Sequence, residues 1–379
     1  RRVAGNFDWD GLEWALRLAR DLGRRIYVTV NVLAFEEDLA RLVPVLRRLE
    51  DLRPHGVVVA DPGVLALGRR EAPHLRWHLS TQASVTNREA AAFWAAAGVA
   101  RIVVARELSL GQLAGVVRGA PCEVEAFCHG AVCVAWSGRC LLSLYWAGRD
   151  PRIGDCAQAC RWPWRDLEDR RRPGEANRVE EDDRGTYFFD AKDLCTIPLL
   201  PALLETGIRA LKIEGRTRSE HYVGVVVDVY RDALRLLAEG DRAGFEARRE
   251  AWVEELGRPT GRGFSTHFLG GEQGSPSSYN PGGSFRGGDR NEFLGLVTAT
   301  RPDGLVVRLR NALRPGDALD VRDAGLRCEN VTVTRIQRPD GTTDGLGRAG
   351  EDVLLPGVFR AGIGALVRRR GLASAGPLP

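Results

Sequence analysis

The segment RIYVTVN at residues 25–31 decides the fold class, together with the two segments that follow it. After this β-branched run come an amphipathic stretch of helical period, EDLARLVPVLRRLEDL at 37–52, and a second β-branched run, GVVVA at 56–60. A strand, a helix and a strand in this order form a parallel pair with a crossover helix. The sequence therefore predicts an α/β protein built on a parallel sheet.

The same alternation continues along the chain. Further strands are predicted at 75–79, 101–105, 123–127, 186–189 and 210–213, with helices at 88–97 and 220–237. These strands number seven in all, one short of a (β/α) barrel. We therefore expect a TIM-like barrel truncated by one N-terminal strand and helix, and the absence of methionine, even at position 1, agrees with a fragment. An open doubly wound sheet is the alternative, but no glycine-rich phosphate loop follows any predicted strand.

The pattern changes after residue 256. Residues 257–290 are rich in Gly, Ser and Pro and are predicted to be a loop and linker. Short strands separated by turns such as Pro302-Asp303-Gly304 follow, which predicts a small C-terminal all-β barrel at 291–371. The predicted organisation is a TIM-like catalytic domain at 1–256, carrying a Cys-rich insertion at 128–195, followed by the linker and the barrel.

Composition limits the class of protein. The 379 residues are 44% hydrophobic and 27% charged, which excludes a disordered chain, a collagen-like repeat and a disulfide miniprotein. No apolar run approaches the ~18 residues of a membrane span and no leader opens the chain, so we expect a cytoplasmic protein without a membrane partner. Of the 54 Lys and Arg residues only Lys192 and Lys212 are lysines. They are candidates for a specific role because Arg replaces a compact ammonium poorly; the alternative is that two surface lysines remain by chance.

Polar residues follow the predicted strands at their carboxyl ends, where barrel enzymes place reactive groups. We expect a polar pocket for an anion or a nucleobase, in which Lys212 and Glu214 share one side of the last strand. The alternatives are helix N-caps, for Asp61 above all, and a salt-bridge network that only stabilises the barrel. The candidate catalytic residues are Lys212, Glu214, Arg216, Arg106, Gln82 and His129, and the candidate substrate-binding residues at these ends are Asn31 and Asp61.

Seven of the eight cysteines lie between residues 122 and 195, which indicates metal or redox chemistry in a chain without a secretion signal. Cys133, Cys140, Cys156 and Cys160 form the pattern C-x6-C-x15-C-x3-C. Four thiolates suit a 4Fe–4S cluster or zinc. The irregular spacing favours the cluster over a zinc ribbon, while unliganded thiols are the third alternative. Cys195 is a further candidate ligand.

Arginine and tryptophan alternate at Arg161, Trp162 and Trp164. Cations interleaved with flat rings are typical of base stacking and phosphate contact. The alternative is that the tryptophans cover the metal site and the arginines are solvated. On the small β-domain, Arg308, Arg310 and the run 368–370 are expected to contact phosphates as well.

Several long motifs resemble the peptidase U32 family, the collagenase-like proteases. They are HGAVCVAWSGRCLLS at 129–143, GRDPRIGDCAQACRW at 148–162 and KIEGRTRSEHYV at 212–223, with HLSTQASVTN at 78–87 and VVARELSL at 103–110 upstream. The likeness covers about residues 1–270 and extends into the β-domain. RPGE at 172–175 looks more like the branch that modifies tRNA than the branch that modifies quinones.

The resemblance implies a barrel-like catalytic domain and an oxygen-independent hydroxylase. Such enzymes act on the tRNA wobble uridine with prephenate, on a ribosomal RNA cytidine or on ubiquinone precursors, and the family's 4Fe–4S cluster maps onto Cys133, Cys140, Cys156 and Cys160. The implied partners are tRNA or another structured RNA, prephenate as a small dicarboxylate co-substrate, and a paralogous partner subunit. A peptidase is one alternative, although the chain has neither H-E-x-x-H nor G-x-S-x-G. A zinc-stabilised RNA-binding module is the other.

Overall fold

The computed structural model describes residues 6–133, 136, 140–150, 155–157, 159–161, 181–182, 185–186, 191–216, 218–260, 263–271, 293–323 and 328–370. By their contacts these residues group into two compact units. One unit lies within 1–217 and 264–284, and the other within 218–263 and 285–379. The sequence-based division differs, because it assigned the helices after residue 218 to the first domain.

A mainly parallel sheet forms the centre of the first unit. It runs in the order β1-β2-β3-β4-β5-β8-β10, with β9 also paired to β5, while β6 and β7 form a separate two-stranded sheet. The strands are β1 (Tyr27–Val30), β2 (Gly56–Val59), β3 (Trp77–Leu79), β4 (Val99–Val103), β5 (Glu123–Gly130), β6 (Glu181–Asp182), β7 (Gly185–Thr186), β8 (Asp193–Cys195), β9 (Ala210–Ile213) and β10 (Phe264–Ser265). Within the large sheet the pairs are parallel except β5 with β8, which meet antiparallel at His129 and Gly130.

Helices follow the strands of this sheet, as the alternation predicts. They are α1 (Trp9–Asp21), α2 (Glu36–Leu52), α3 (Pro62–Glu71), α4 (Arg88–Ala96), α5 (Leu110–Gly119), α6 (Leu142–Ala147) and α7 (Leu200–Glu205). Side chains that accept a backbone N–H start several of them: Asp61 accepts from Val64 at 3.0 Å and Asn87 from Ala90 at 2.9 Å. The strands β2 and β3 are buried along their whole length, as expected in a parallel sheet.

The α/β class and the parallel sheet are therefore confirmed. Thr186 of the strand predicted at 186–189 belongs to β7, and residues 187–189 lie outside the described residues, so that strand stays a prediction. The strand β8, which was not predicted from the sequence, pairs with β5. In the described part of the chain β1 has one neighbour, so the closed barrel stays a prediction.

The second unit combines two helices with an antiparallel sheet that curls into a half-barrel, ordered β14-β13-β18-β11-β12-β17-β15-β16. The predicted β-rich C-terminal region is thus confirmed in its coarse form. The elements are α8 (Glu220–Ala238), α9 (Arg242–Gly257), β11 (Phe293–Arg301), β12 (Gly304–Leu309), β13 (Ala318–Arg322), β14 (Cys328–Thr332), β15 (Ile336–Gln337), β16 (Thr343–Asp344), β17 (Asp352–Pro356) and β18 (Leu366–Arg369). Inward aliphatic residues such as Val307, Val321 and Val367 form its core. No helix in the described residues has the length and apolar character needed to cross a membrane.

Candidate functional site

Asn31 and Gln82 meet at the carboxyl ends of β1 and β3. The Asn31 amide nitrogen donates to Gln82 Oε1 at 2.5 Å, and the Ser80 hydroxyl donates to the same oxygen at 3.2 Å. Two donors thus share this oxygen. The structure therefore brings two of the predicted site residues together.

Asp61 has a structural function in this arrangement. One carboxylate oxygen caps α3, and the other accepts the Ala34 N–H at 3.3 Å, which pins the loop after β1. This is the N-cap role that the sequence offered as an alternative. Its role in substrate binding stays a prediction.

Two of the predicted cations share one aromatic ring. The Arg106 guanidinium carbon lies 3.8 Å from the centroid of the Phe127 ring, and Lys212 Nζ lies 5.5 Å from it. Arg106 also donates to the Ala131 carbonyl at 3.1 Å and contacts Cys133 Sγ at 3.8 Å. Cations are attracted to the electron-rich face of such a ring. The pair concentrates positive charge at the carboxyl ends of β4 and β9.

The remaining predicted catalytic residues lie around the end of β9. The Glu214 N–H donates to the His129 carbonyl at 2.9 Å, and Glu214 Oε1 accepts the Arg216 N–H at 3.0 Å. The Arg216 side chain is exposed, whereas His129 is buried with its ring 5.3 Å from that of Phe264. Glu214 thus shapes the turn after the strand. The catalytic roles of these three residues stay predictions.

A small cavity adjoins Arg106. Its volume of about 20 Å³ has room for about one water molecule. Neither Lys212 nor Arg216 lines it, so this cavity is not the common pocket that the sequence predicted. Its lining residues are Val104, Ala105, Arg106, Leu108, Leu113, Ala126, Phe127, Leu194 and Leu269.

The four predicted metal ligands are thiols at different depths. Cys133 and Cys156 are exposed, while Cys140 and Cys160 are partly buried. Among the described residues, which include all four, no three His, Cys, Asp or Glu side chains come together as a metal-ligand group. Four thiols are donors that fit a metal or an iron–sulfur cluster, and this ligand set stays a prediction.

The predicted RNA contacts have mixed outcomes. Arg161 lies in a short 3₁₀ turn at its backbone, and Trp162 and Trp164 lie outside the described residues. In the second unit, Arg368 is 2% exposed and bound to Glu255 at 2.7 Å, so its predicted contact with phosphate is wrong. Strand β18 is paired on both sides and directs Arg368 toward Asp320 of β13, its partner in register.

Two further arginines of the second unit keep exposed positions. Arg308 forms two hydrogen bonds to Asp352, at 2.6 and 2.7 Å, and Arg310 binds Glu220 at 2.7 Å. Half of each side chain is exposed, but each already has an acidic partner. Their contact with phosphate stays a prediction, and it would compete with these ion pairs.

A set of charged residues inside the sheet of the first unit was not predicted from the sequence. Arg101 of β4 donates to Glu123 at 2.8 Å and to Glu125 at 3.2 Å, both on β5. Burial raises the pKa of Glu123, but the hydrogen bond and charge of Arg101, with those of Arg76, outweigh it and lower the pKa overall. The signal was present: charges at alternate positions of a strand predicted to be buried, as in EVE at 123–125.

His78 lies on the neighbouring strand and completes this polar face. Burial, with the positive charges of Arg101 and Arg76, lowers its pKa to about 4. It is therefore neutral near pH 7. Its ring lies 5.0 Å from that of Tyr27.

The chain is similar in sequence to known proteins over most of its length. The model of peptidase family U32 matches residues 1–278. The tRNA hydroxylation protein P1 of Bacillus subtilis is 37% identical over 88% of this chain and 78% of that protein. The tRNA hydroxylation protein P of Escherichia coli is 32% identical over 84% of this chain and 78% of that protein. The Escherichia coli 23S rRNA 5-hydroxycytidine C2501 synthase is 32% identical over 80% of this chain and 45% of that protein.

Proposed function

The chain belongs to peptidase family U32, and from this premise we propose that it is an RNA-modifying enzyme that hydroxylates tRNA. The observation that carries the proposal is the 37% identity, over 88% of the chain, to a protein named for tRNA hydroxylation. Relatives named for tRNA and for rRNA hydroxylation both support an RNA substrate. A base inside a duplex is out of reach of a pocket at strand ends, so the target is a nucleotide splayed from a single-stranded loop.

We propose the wobble uridine as the target and prephenate as the co-substrate. A dicarboxylate requires at least two cations, and Arg106 and Lys212 around Phe127 supply them. Gln82, which accepts a hydrogen bond from Asn31, is proposed to lie on the wall of the same site. Arg216, exposed beyond β9, adds a third cation for a carboxylate or a phosphate.

We also propose that the cysteines bind a 4Fe–4S cluster, with zinc as the alternative metal. Cys133, Cys140, Cys156 and Cys160 are the proposed ligands, and Cys195 in β8 is the further candidate for the fourth position. Such a cluster supplies electron transfer when bound. Anaerobic loading with iron and sulfide should give a brown protein, and its spectrum in Cys160→Ser and Cys195→Ser variants identifies the fourth ligand. A colourless protein with stoichiometric zinc would favour the alternative metal.

The sheet of the first unit is proposed to be part of a TIM-like barrel. Five successive parallel strands, β1 to β5, with intervening helices, support this architecture. A further strand beside β1 is needed to close it. We propose the cytoplasm as the location, since tRNA is modified there, and a paralogous subunit as a partner.

The test is hydroxylation in vitro. Protein loaded with iron and sulfide is incubated with unmodified tRNA and prephenate, and the nucleosides are then analysed by mass spectrometry. We expect one added oxygen on the wobble uridine, and no hydroxylation of any RNA by the loaded protein would contradict the proposal. Casein or gelatin cleavage that survives iron chelation and is lost on Cys substitution would favour the peptidase alternative.

Two arginines at opposite ends of β9 provide a test variant and a matched control for this experiment. Arg216→Ala should lower hydroxylation by about 10- to 100-fold, the effect of one charge-assisted hydrogen bond, and leave the cluster spectrum intact. Arg209 is also exposed but precedes β9, so Arg209→Ala is the matched control and should keep wild-type activity. Full activity in Arg216→Ala would remove Arg216 from the site.

A further inference from the structure

Five charged residues form a ladder of alternating sign on one face of the parallel sheet. The charge ladder begins at Arg76, whose guanidinium lies 3.1 Å from Glu123, and Glu123 in turn contacts Arg101 at 2.8 Å. Arg101 contacts Glu125 at 3.2 Å, and Glu125 Oε1 lies 3.8 Å from Lys212 Nζ. The ladder thus runs from the amino ends of the strands to their carboxyl ends.

Strand register places these residues on the same face. Arg101 of β4 pairs with Glu123 of β5, and Lys212 of β9 pairs with Phe127 of β5. Residues 123, 125 and 127 alternate along β5, so their side chains point to one side of the sheet. Phe127 is also the ring that both Lys212 and Arg106 approach. The ladder therefore ends at the cation pair of the candidate site.

Burial differs along the ladder. The side chains of Arg101 and Glu125 are 10% and 13% exposed, whereas that of Lys212 is 31% exposed. Buried ion pairs add little stability over apolar residues of the same size. The contact between the largely buried Glu125 and the partly exposed Lys212 therefore needs another explanation. We explain it by the fixed position that Glu125 gives to the Lys212 ammonium. Lysine has a long flexible stem, so without such a contact its ammonium samples many positions.

We propose that Glu125 is a positioning residue that holds the Lys212 ammonium at the carboxyl end of β9, where Lys212 and Arg106 together receive the anionic group of the substrate. Arg101 holds Glu125 in turn, because it binds the second carboxylate oxygen. Glu123 binds Arg101 but not Lys212, which makes it the matched control. The identity of the anion rests on the proposed function, but the position of Lys212 can be measured without it.

The first experiment uses the fact that Lys192 and Lys212 are the chain's two lysines. The full-length protein is treated briefly with an amine-acetylating reagent, and the modification of each lysine is quantified by peptide mass spectrometry. In Glu125→Gln, labelling of Lys212 relative to Lys192 should rise about two- to fivefold, the range of a partly exposed ion pair. In Glu123→Gln the ratio should stay at the wild-type value. An equal ratio in both variants, or no rise in Glu125→Gln, would overturn the proposal.

A second variant covers the case in which Glu125→Gln does not fold. Glu125→Asp keeps the charge and shortens the side chain by one methylene. The Lys212 contact is already long at 3.8 Å, so this variant should also raise Lys212 labelling. Unchanged labelling in a folded Glu125→Asp protein would count against the proposal.

The second experiment uses a double-mutant cycle to test whether the position of the Lys212 ammonium affects activity. Glu125→Gln should raise the KM for the anionic co-substrate more than it lowers kcat, and it should have no further effect when Lys212 is already Ala. Glu123→Gln should have the same small effect in both backgrounds. An undiminished effect of Glu125→Gln in the Lys212→Ala protein would show that Glu125 does not act through Lys212. If the wild-type protein hydroxylates no RNA, the proposed function fails, and the labelling result still decides the role of Glu125.

Discussion

His221, near the start of α8, shows how burial sets the behaviour of a single residue. Its ring is stacked on Phe293 with centroids 5.2 Å apart. Burial and the charge of Arg368 lower the pKa of His221 to about 4, against a smaller opposing effect of Glu255. An unfolded chain has a His pKa of about 6.5, so it binds a proton between pH 6.5 and 4 that the folded protein does not bind. The stability that this histidine contributes is complete above pH 6.5 and is lost as the pH falls toward 4.

We therefore expect His221→Phe to weaken the pH dependence of stability. Between pH 7 and pH 4.5 the free energy of unfolding should fall by about 2 kcal/mol less than in the wild type, measured by urea unfolding at each pH. Between pH 7 and pH 8 the two proteins should differ by a constant amount, because His221 takes up no proton there. Parallel curves down to pH 4.5 would show that His221 does not titrate as its burial implies.

At the scale of elements, the contact between α3 and β3 depends on a glycine. A Cβ atom at Gly68 would lie 2.4 Å from the ring of Trp77, which is itself buried. Gly68→Ala should destabilise the protein by about 1–3 kcal/mol through overpacking, although alanine favours the helix by up to about 1 kcal/mol. The midpoint of denaturant unfolding measures this loss.

Gly115 in α5 is the matched control for this helix–strand contact. A Cβ atom there meets nothing within 4 Å, so Gly115→Ala should stabilise the protein by up to about 1 kcal/mol. If both variants raise the midpoint, helix propensity rather than the contact with Trp77 governs α3.

At the scale of the whole molecule, buried charges tie α9 to the sheet within the second unit. Glu255 of α9 contacts Arg322 of β13 and Arg368 of β18, and both arginines are buried. Burial raises the pKa of Glu255, but the hydrogen bond from Arg368 and the charge of Arg322 outweigh it and keep the carboxylate ionised. Glu255→Gln leaves two buried cations without this partner and should cost about 3–5 kcal/mol. Hydrogen exchange should show faster exchange of the amides of β13, β18 and α9 together.

An exposed ion pair of the same unit is the control. Asp352→Asn removes the partner of the half-exposed Arg308 and should cost less than about 1 kcal/mol. Equal losses of protection in the two variants would mean that burial does not decide the strength of these pairs.

Local sequence patterns predicted much of this protein's architecture. The strand at Ala210–Ile213, the helix that begins at Glu220 and the cap Asp61 all follow from the sequence, because periodicity and capping depend on residues within a few positions of each other. The same signals predicted a parallel sheet and a β-rich C-terminal region. They also placed Arg106 and Lys212 among the candidate site residues, since the end of a strand can be read from where an apolar run stops.

Only the tertiary structure decided which groups meet. Glu125 and Lys212 are far apart in the chain, and the pairing of β5 with β9 brings them together. Pairing with β13 likewise turned Arg368 from a predicted phosphate contact into a buried ion pair, and β8 joined the sheet although no strand was predicted there. Strand register depends on packing between distant segments, so no local pattern of charge or hydrophobicity specifies which carboxylate a given cation will face.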